Sequence, residues 1–150
     1  MKVTLNRLND DFLFEGQGPN GIPVAIDNKG NDEIKGASPM ELLLMAIGGC
    51  NAIDIIYVLK KQRQTVTSYR VDVEGTRGNL HKAQPFKAAH VSIYLEGPIV
   101  HAKALRAASL SFEQYCSVSM TLAGSVTITY DLYVNGIHIT PESIAAQDPQ

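Results

Sequence analysis

Two cysteines stand in this 150-residue chain, and thiol chemistry is the most evident covalent reactivity its residues offer. Cys50 closes the apolar run Ser38-Pro39-Met40-Glu41-Leu42-Leu43-Leu44-Met45-Ala46-Ile47-Gly48-Gly49-Cys50. Cys116 lies in Glu113-Gln114-Tyr115-Cys116-Ser117-Val118. A free cysteine is most often a small buried hydrophobe; its chemistry begins with the thiolate, not the thiol. Cys50 falls in the middle of a helical pattern, beyond the reach of the helix N-terminus. Asp54, one turn later, opposes ionisation wherever the two face the same space. Activation of Cys50 therefore requires an Arg, Lys or His brought near by folding. If the two sulfurs meet, peroxide chemistry follows: one thiolate attacks an O–O bond and becomes sulfenic acid, the other condenses with it to a disulfide, and an external dithiol resets the pair. That step needs Cα atoms within about 7 Å, which spacing along the chain does not reveal.

Other chemistry finds less support. His81, His90, His101 and His138 show no metal-ligand spacing, so no metal site is expected. Gly16-Gln17-Gly18-Pro19-Asn20-Gly21 lacks the Gly-Lys-Ser/Thr ending of a phosphate loop, and no cofactor motif is read. Lys60, Lys61 and Arg63 fit a helix C-terminus better than a binding patch.

The elements that position the cysteines are largely legible. Ser38 suits an N-cap, Pro39 the first helical position, and Glu41 the third residue of a capping box. The helix that follows is apolar nearly all round to Leu59, which predicts a central, buried element with Leu43, Ala46, Ile47, Cys50, Asp54 and Tyr57 along one stripe. Gly48-Gly49 within it costs about 1 kcal/mol per residue relative to alanine, a cost that fits close approach of another element. Met1 to Phe14 reads as one or two strands, Gly16 to Gly21 as a turn, Ile22 to Ile26 as an edge strand because of Pro23, and Asp27 to Gly36 as a polar loop. Tyr69 to Gly75 and Ala88 to Glu96 alternate with period two, joined by a polar hairpin loop from Arg77 to Pro85. Val100 to Tyr115 reads as a second helix, with a short helical turn after Cys116 capped by Ser117. Gly124 to Val134 is the cleanest strand, and the tail from Thr140 reads as loose. Strands and helices are segregated rather than alternating, which is an α+β class.

Length and 45% hydrophobic composition fit one domain, residues 1–150. A net charge of −2 and no basic stripe argue against nucleic acid. No apolar run approaches the ~20 residues of a spanning helix, and Met1-Lys2-Val3-Thr4-Leu5-Asn6 has no apolar signal core. A cytoplasmic chain with reduced thiols and no membrane partner is therefore expected.

The Ser38–Cys50 run, followed by Tyr115-Cys116-Ser117-Val118, resembles the OsmC/Ohr family. Pro85-Phe86 and Ile93-Tyr94-Leu95-Glu96-Gly97 add to the likeness, which covers Val3 to Tyr133 and lies nearest the branch with Gly-Gly before the first cysteine. The resemblance implies an α+β fold of antiparallel sheets around two central helices, an intertwined homodimer, and thiol-dependent reduction of organic hydroperoxides in oxidative-stress defence. Cys50 would attack, Cys116 would resolve, and a small dithiol or a lipoylated protein would act as reductant. The pattern departs from the family's peroxidases at two places. Met40 stands where they carry a glutamate, Glu41 being one place late, and the glycine-rich turn at Gly18-Pro19-Asn20-Gly21 lacks their arginine. Glu41 and Arg7 are then the possible supporting groups, and a non-catalytic redox-sensing or small-molecule-binding module is the alternative.

Overall fold

The structure, a computed structural model, describes residues 1–28, 30, 33–80 and 82–145. His81 and the last five residues of the tail lie outside them. The described chain forms two compact units, Met1–Leu43 and Leu44–Gln150.

In the first unit, β1 (Thr4–Arg7), β2 (Phe14–Gln17) and β3 (Pro23–Ile26) make an antiparallel sheet in the order β1-β2-β3. Pro23 sits on an edge strand, as expected, where its missing N–H costs no ladder bond. The glycine turn is shorter than expected: Gly16 and Gln17 still pair with Val24 and Pro23, and the chain reverses only at Gly18–Gly21, with Gly21 at φ 70°. The polar loop after β3 is organised by buried Asp27, whose carboxylate accepts the backbone N–H groups of Asn28 and Lys35. Helix α1 (Pro39–Lys61) starts in this unit. Its capping box forms as expected: Glu41 accepts the Ser38 N–H and hydroxyl, both at 2.8 Å.

In the second unit, β4 (Ser68–Arg77), β5 (Phe86–Glu96), β6 (Thr127–Val134) and β7 (Ile137–His138) form one sheet in that order. The expectation of antiparallel sheets fails at β5 and β6, which run parallel. Parallel neighbours need a long crossover, and α2 (His101–Leu110) with α3 (Ser117–Leu122) supplies it. β5 is the central strand, with Ala89, Val91, Ile93 and Leu95 sealed from solvent. Against this sheet α1 buries Ile47, Ile55 and Leu59, and α2 buries Ala104, Ala107 and Ala108. Gly48 lies close against the sheet: a Cβ there would lie 2.7 Å from Val73 Cγ2 on β4, whereas one at Gly49 would meet nothing within 4 Å. The costly glycine pair is therefore a notch for the sheet at one residue and open at the other.

Four expectations need correction. First, α1 is not buried all round: Met45, Ile53 and Tyr57 are 60%, 72% and 57% exposed. Second, α1 is long and apolar enough by length and composition to span a bilayer. Gly48, Gly49, Asn51 and Asp54 had broken its apolar run in the sequence, but they do not break the helix. Third, the expected helix to Tyr115 ends as regular α-helix at Leu110 and widens into a π-helical turn, Ser111–Tyr115. Fourth, the described part of the tail forms a short helix, α4 (Pro141–Ala145), with the Thr140 and Ser143 side chains each accepting the other's backbone N–H. The hairpin to β7 also went unread. Asn135 and Gly136 both take positive φ, 49° and 77°, the backbone of a tight two-residue hairpin turn.

Candidate functional site

Cys50 and Asp54 stand one turn apart on α1, at the margin of its buried face. That face is Ile47, Gly48, Asn51, Ile55, Val58 and Leu59 rather than the stripe expected through Cys50 and Tyr57. The shift leaves Cys50 and Asp54 half-buried instead of sealed in hydrocarbon.

Cys116 reaches them through the π-helical turn. A π turn holds one more residue per turn than an α turn and often marks functional sites. Here it closes with the Cys116 N–H donating to Ser111 O at 2.9 Å, and the chain leaves in an extended conformation at Cys116. Cys116, not Ser117, is the N-cap of α3: its sulfur accepts the Ser119 N–H at 3.3 Å and the Ser119 hydroxyl at 3.2 Å. The cysteine thus does the work that serine or aspartate usually does at this position.

The result is a cluster in which the Sγ atoms of Cys50 and Cys116 and a carboxylate oxygen of Asp54 all lie within 4.8 Å of one another. Both thiols are free, and Cys116 is fully buried.

Behind the sulfurs runs a polar network that the sequence reading missed. Asn51, 1% exposed, donates through Nδ2 to Ile47 O at 2.9 Å and to Ser119 Oγ at 3.1 Å. Its Oδ1 accepts the Ser111 hydroxyl at 2.9 Å, and Ser111 Oγ also lies 3.5 Å from Asp54 Oδ2. A buried amide is costly unless bonded, and these bonds tie α1, the π turn and α3 together around the thiols. The one sequence signal was Asn51 itself, a polar residue on the most apolar helix.

The electrostatics favour the neutral thiol at Cys50. Burial pushes it up first, its hydrogen bond to Cys116 adds to that, and repulsion from Cys116 and Asp54 adds further; the Val118 backbone N–H pulls the other way. Asp54 therefore opposes ionisation, as its spacing predicts.

The remaining candidates make bonds of their own. Glu41 serves the cap of α1. Arg7, at the end of β1, donates Nε to Asp11 O at 2.9 Å. Both lie in the first unit. His90 and His138 flank Asp131 at 3.3 and 3.1 Å, a cross-strand cluster on β5, β6 and β7 that separation in sequence had hidden. His101 opens α2.

A two-sheet α+β frame carrying paired thiols on α1 and at the head of α3 defines a class. The model of the OsmC-like protein family matches residues 30–131, and the chain belongs to that family. It is 36% identical over 128 residues to Protein YhfA of Escherichia coli, covering 83% of this chain and 92% of that protein. An OsmC-like protein from Mycoplasma pneumoniae superposes with a TM-score of 0.75 at 16% identity, covering 89% of this chain and 95% of that one. An organic hydroperoxide resistance protein from Elizabethkingia anophelis does so with a TM-score of 0.68 at 13% identity, over 89% and 94% of the two chains.

Proposed function

We propose that the chain reduces organic hydroperoxides slowly, as a single OsmC-like domain of the Gly-Gly-Cys branch, through Cys50 and Cys116. The observation that carries this reading is that the two sulfurs lie within 4.8 Å of each other. The Cys50 thiolate attacks one peroxide oxygen; the S–O bond forms as the O–O bond breaks, and the alcohol leaves after taking up a proton. The Cys116 thiol then attacks the sulfenic sulfur, a disulfide forms, and water departs. The sulfurs must close to about 2 Å for that bond. A dithiol, small or carried on a lipoylated protein, restores both thiols and leaves as its own disulfide. The fold shared with the organic hydroperoxide resistance protein from Elizabethkingia anophelis agrees with this substrate class.

The reaction is expected to be slow because, within Leu44–Gln150 and among the described residues, no cation is among the groups that shift the Cys50 thiol. In this reading Arg7 and Glu41 are supporting groups rather than catalytic ones, and the assembled protein is a homodimer in the cytoplasm. The exposed stripe of Met45, Gly49, Ile53 and Tyr57, spaced by four on α1, supports such pairing. The second reading, a redox-sensing or ligand-binding module without turnover, is favoured by the raised Cys50 thiol. Following cumene hydroperoxide with excess dithiol present separates them: consumption of many equivalents per chain supports the enzyme, and no consumption beyond one equivalent over hours supports the module.

A further inference from the structure

We propose that Cys50, Asp54 and Cys116 form a binding site for a divalent metal ion of the zinc type. Each offers one donor atom, and the three atoms lie within 4.8 Å of one another. Zinc holds thiolate sulfur at about 2.3 Å and carboxylate oxygen at about 2.0–2.2 Å in a tetrahedron. Donors around one such ion therefore stand roughly 3.5–4 Å apart, so the cluster needs to close by on the order of 1 Å, a side-chain adjustment.

The charges fit a cation better than they fit a bare thiolate. Asp54 repels an anionic sulfur when no metal is present. With a metal present it becomes the third anionic ligand, and three negative donors face two positive charges. The surroundings already orient the donors, as the outer groups of metal sites do. Ser119 gives both its N–H and its hydroxyl to Cys116 Sγ, Asn51 fixes Ser119, and Ser111 Oγ stands 3.5 Å from Asp54 Oδ2. Cys50 and Asp54 are held one turn apart on a continuous helix. Cys50 and Asp54 are half-buried rather than sealed, so an ion reaches the cluster from their side, with water as the fourth ligand. Binding releases the two thiol protons and engages both sulfurs. The inference shares its sulfurs with the proposed peroxide reduction but does not rest on turnover.

The test is anaerobic titration of the reduced full chain with Co²⁺, followed by its thiolate-to-cobalt charge-transfer absorption. Zinc affinity is measured alongside by competition with a chromogenic chelator. One ion per chain is expected. The charge-transfer band should weaken in Cys50→Ser and in Cys116→Ser, and zinc affinity should fall at least about tenfold in Asp54→Asn. His90→Ala, in the surface cluster on the sheet, should bind as the wild type does. If Cys116→Ser fails to fold, the two substitutions at half-buried α1 positions still decide the matter. Absence of the charge-transfer band, or unchanged zinc affinity in Asp54→Asn, overturns the proposal. A chain that binds zinc this way yet never consumes peroxide keeps the metal site and ends the peroxidase reading. Turnover with zinc affinity indifferent to Asp54 does the reverse.

Discussion

At the scale of the residue, Cys50 pays for its position with a thiol held above its ordinary value. A raised thiol is less ionised at neutral pH, so the rate of any reaction at Cys50 should keep climbing as pH rises past the usual thiol range near 8.5. Removing a negative neighbour reverses part of this. Asp54→Asn should lower the Cys50 value and so raise its alkylation rate by iodoacetamide at pH 7.5, by less than burial and Cys116 hold it back. An unchanged rate would mean that the carboxylate does not act on the sulfur. Asn51 makes a different claim. Asn51→Ala removes the buried amide that bonds Ser111 and Ser119 and leaves a cavity in its place, and urea denaturation should show a loss of about 2–4 kcal/mol. Cys50 and Cys116 were legible as reactive types from the sequence alone, and Asp54 as a neighbour one turn from Cys50 that opposes its ionisation. The bonds of Asn51 to Ser111 and Ser119 were not, since they join residues 60 and 68 positions apart, and no local periodicity encodes such a meeting.

Among the elements, α1 carries most of the site. Its start, its end and its length were readable because caps, Pro39 and terminal lysines are local chemistry. Which face it buries was not readable, because a helix apolar all round gives no contrast to orient it. Gly48 reports that orientation. Gly48→Ala gains helix propensity but drives a Cβ to 2.7 Å from Val73 Cγ2, so a net loss of about 1–2 kcal/mol is expected in thermal or urea unfolding. A stabilised variant would show that α1 does not press on β4 there. The π turn and the Cys116 cap escaped notice for a related reason. Ser117 is the conventional capping type, and the extra residue of the turn, which aims Cys116 into the cluster, has no composition of its own. The β6–β7 hairpin was missed although Asn135-Gly136 is a strong local turn signal, because β7 is only two residues long.

For the whole molecule, an α1 that is half exposed and strongly apolar fits a chain that pairs with a second copy. Light scattering should give twice 16.3 kDa for the wild type, and Ile53→Asp, placing a charge in the exposed stripe, should give the single mass with an unchanged helix content. A wild type that already runs as a monomer would remove the homodimer from the proposal. Family membership, by contrast, rests on the matched residues 30–131 and on no assumption about activity. The activity itself comes down to stopped-flow consumption of an organic hydroperoxide by the reduced protein with a dithiol present. Turnover that disappears in Cys50→Ser, and that in Cys116→Ser stops at the sulfenic acid, is the expected result. Equal peroxide consumption by wild type and Cys50→Ser would contradict the account.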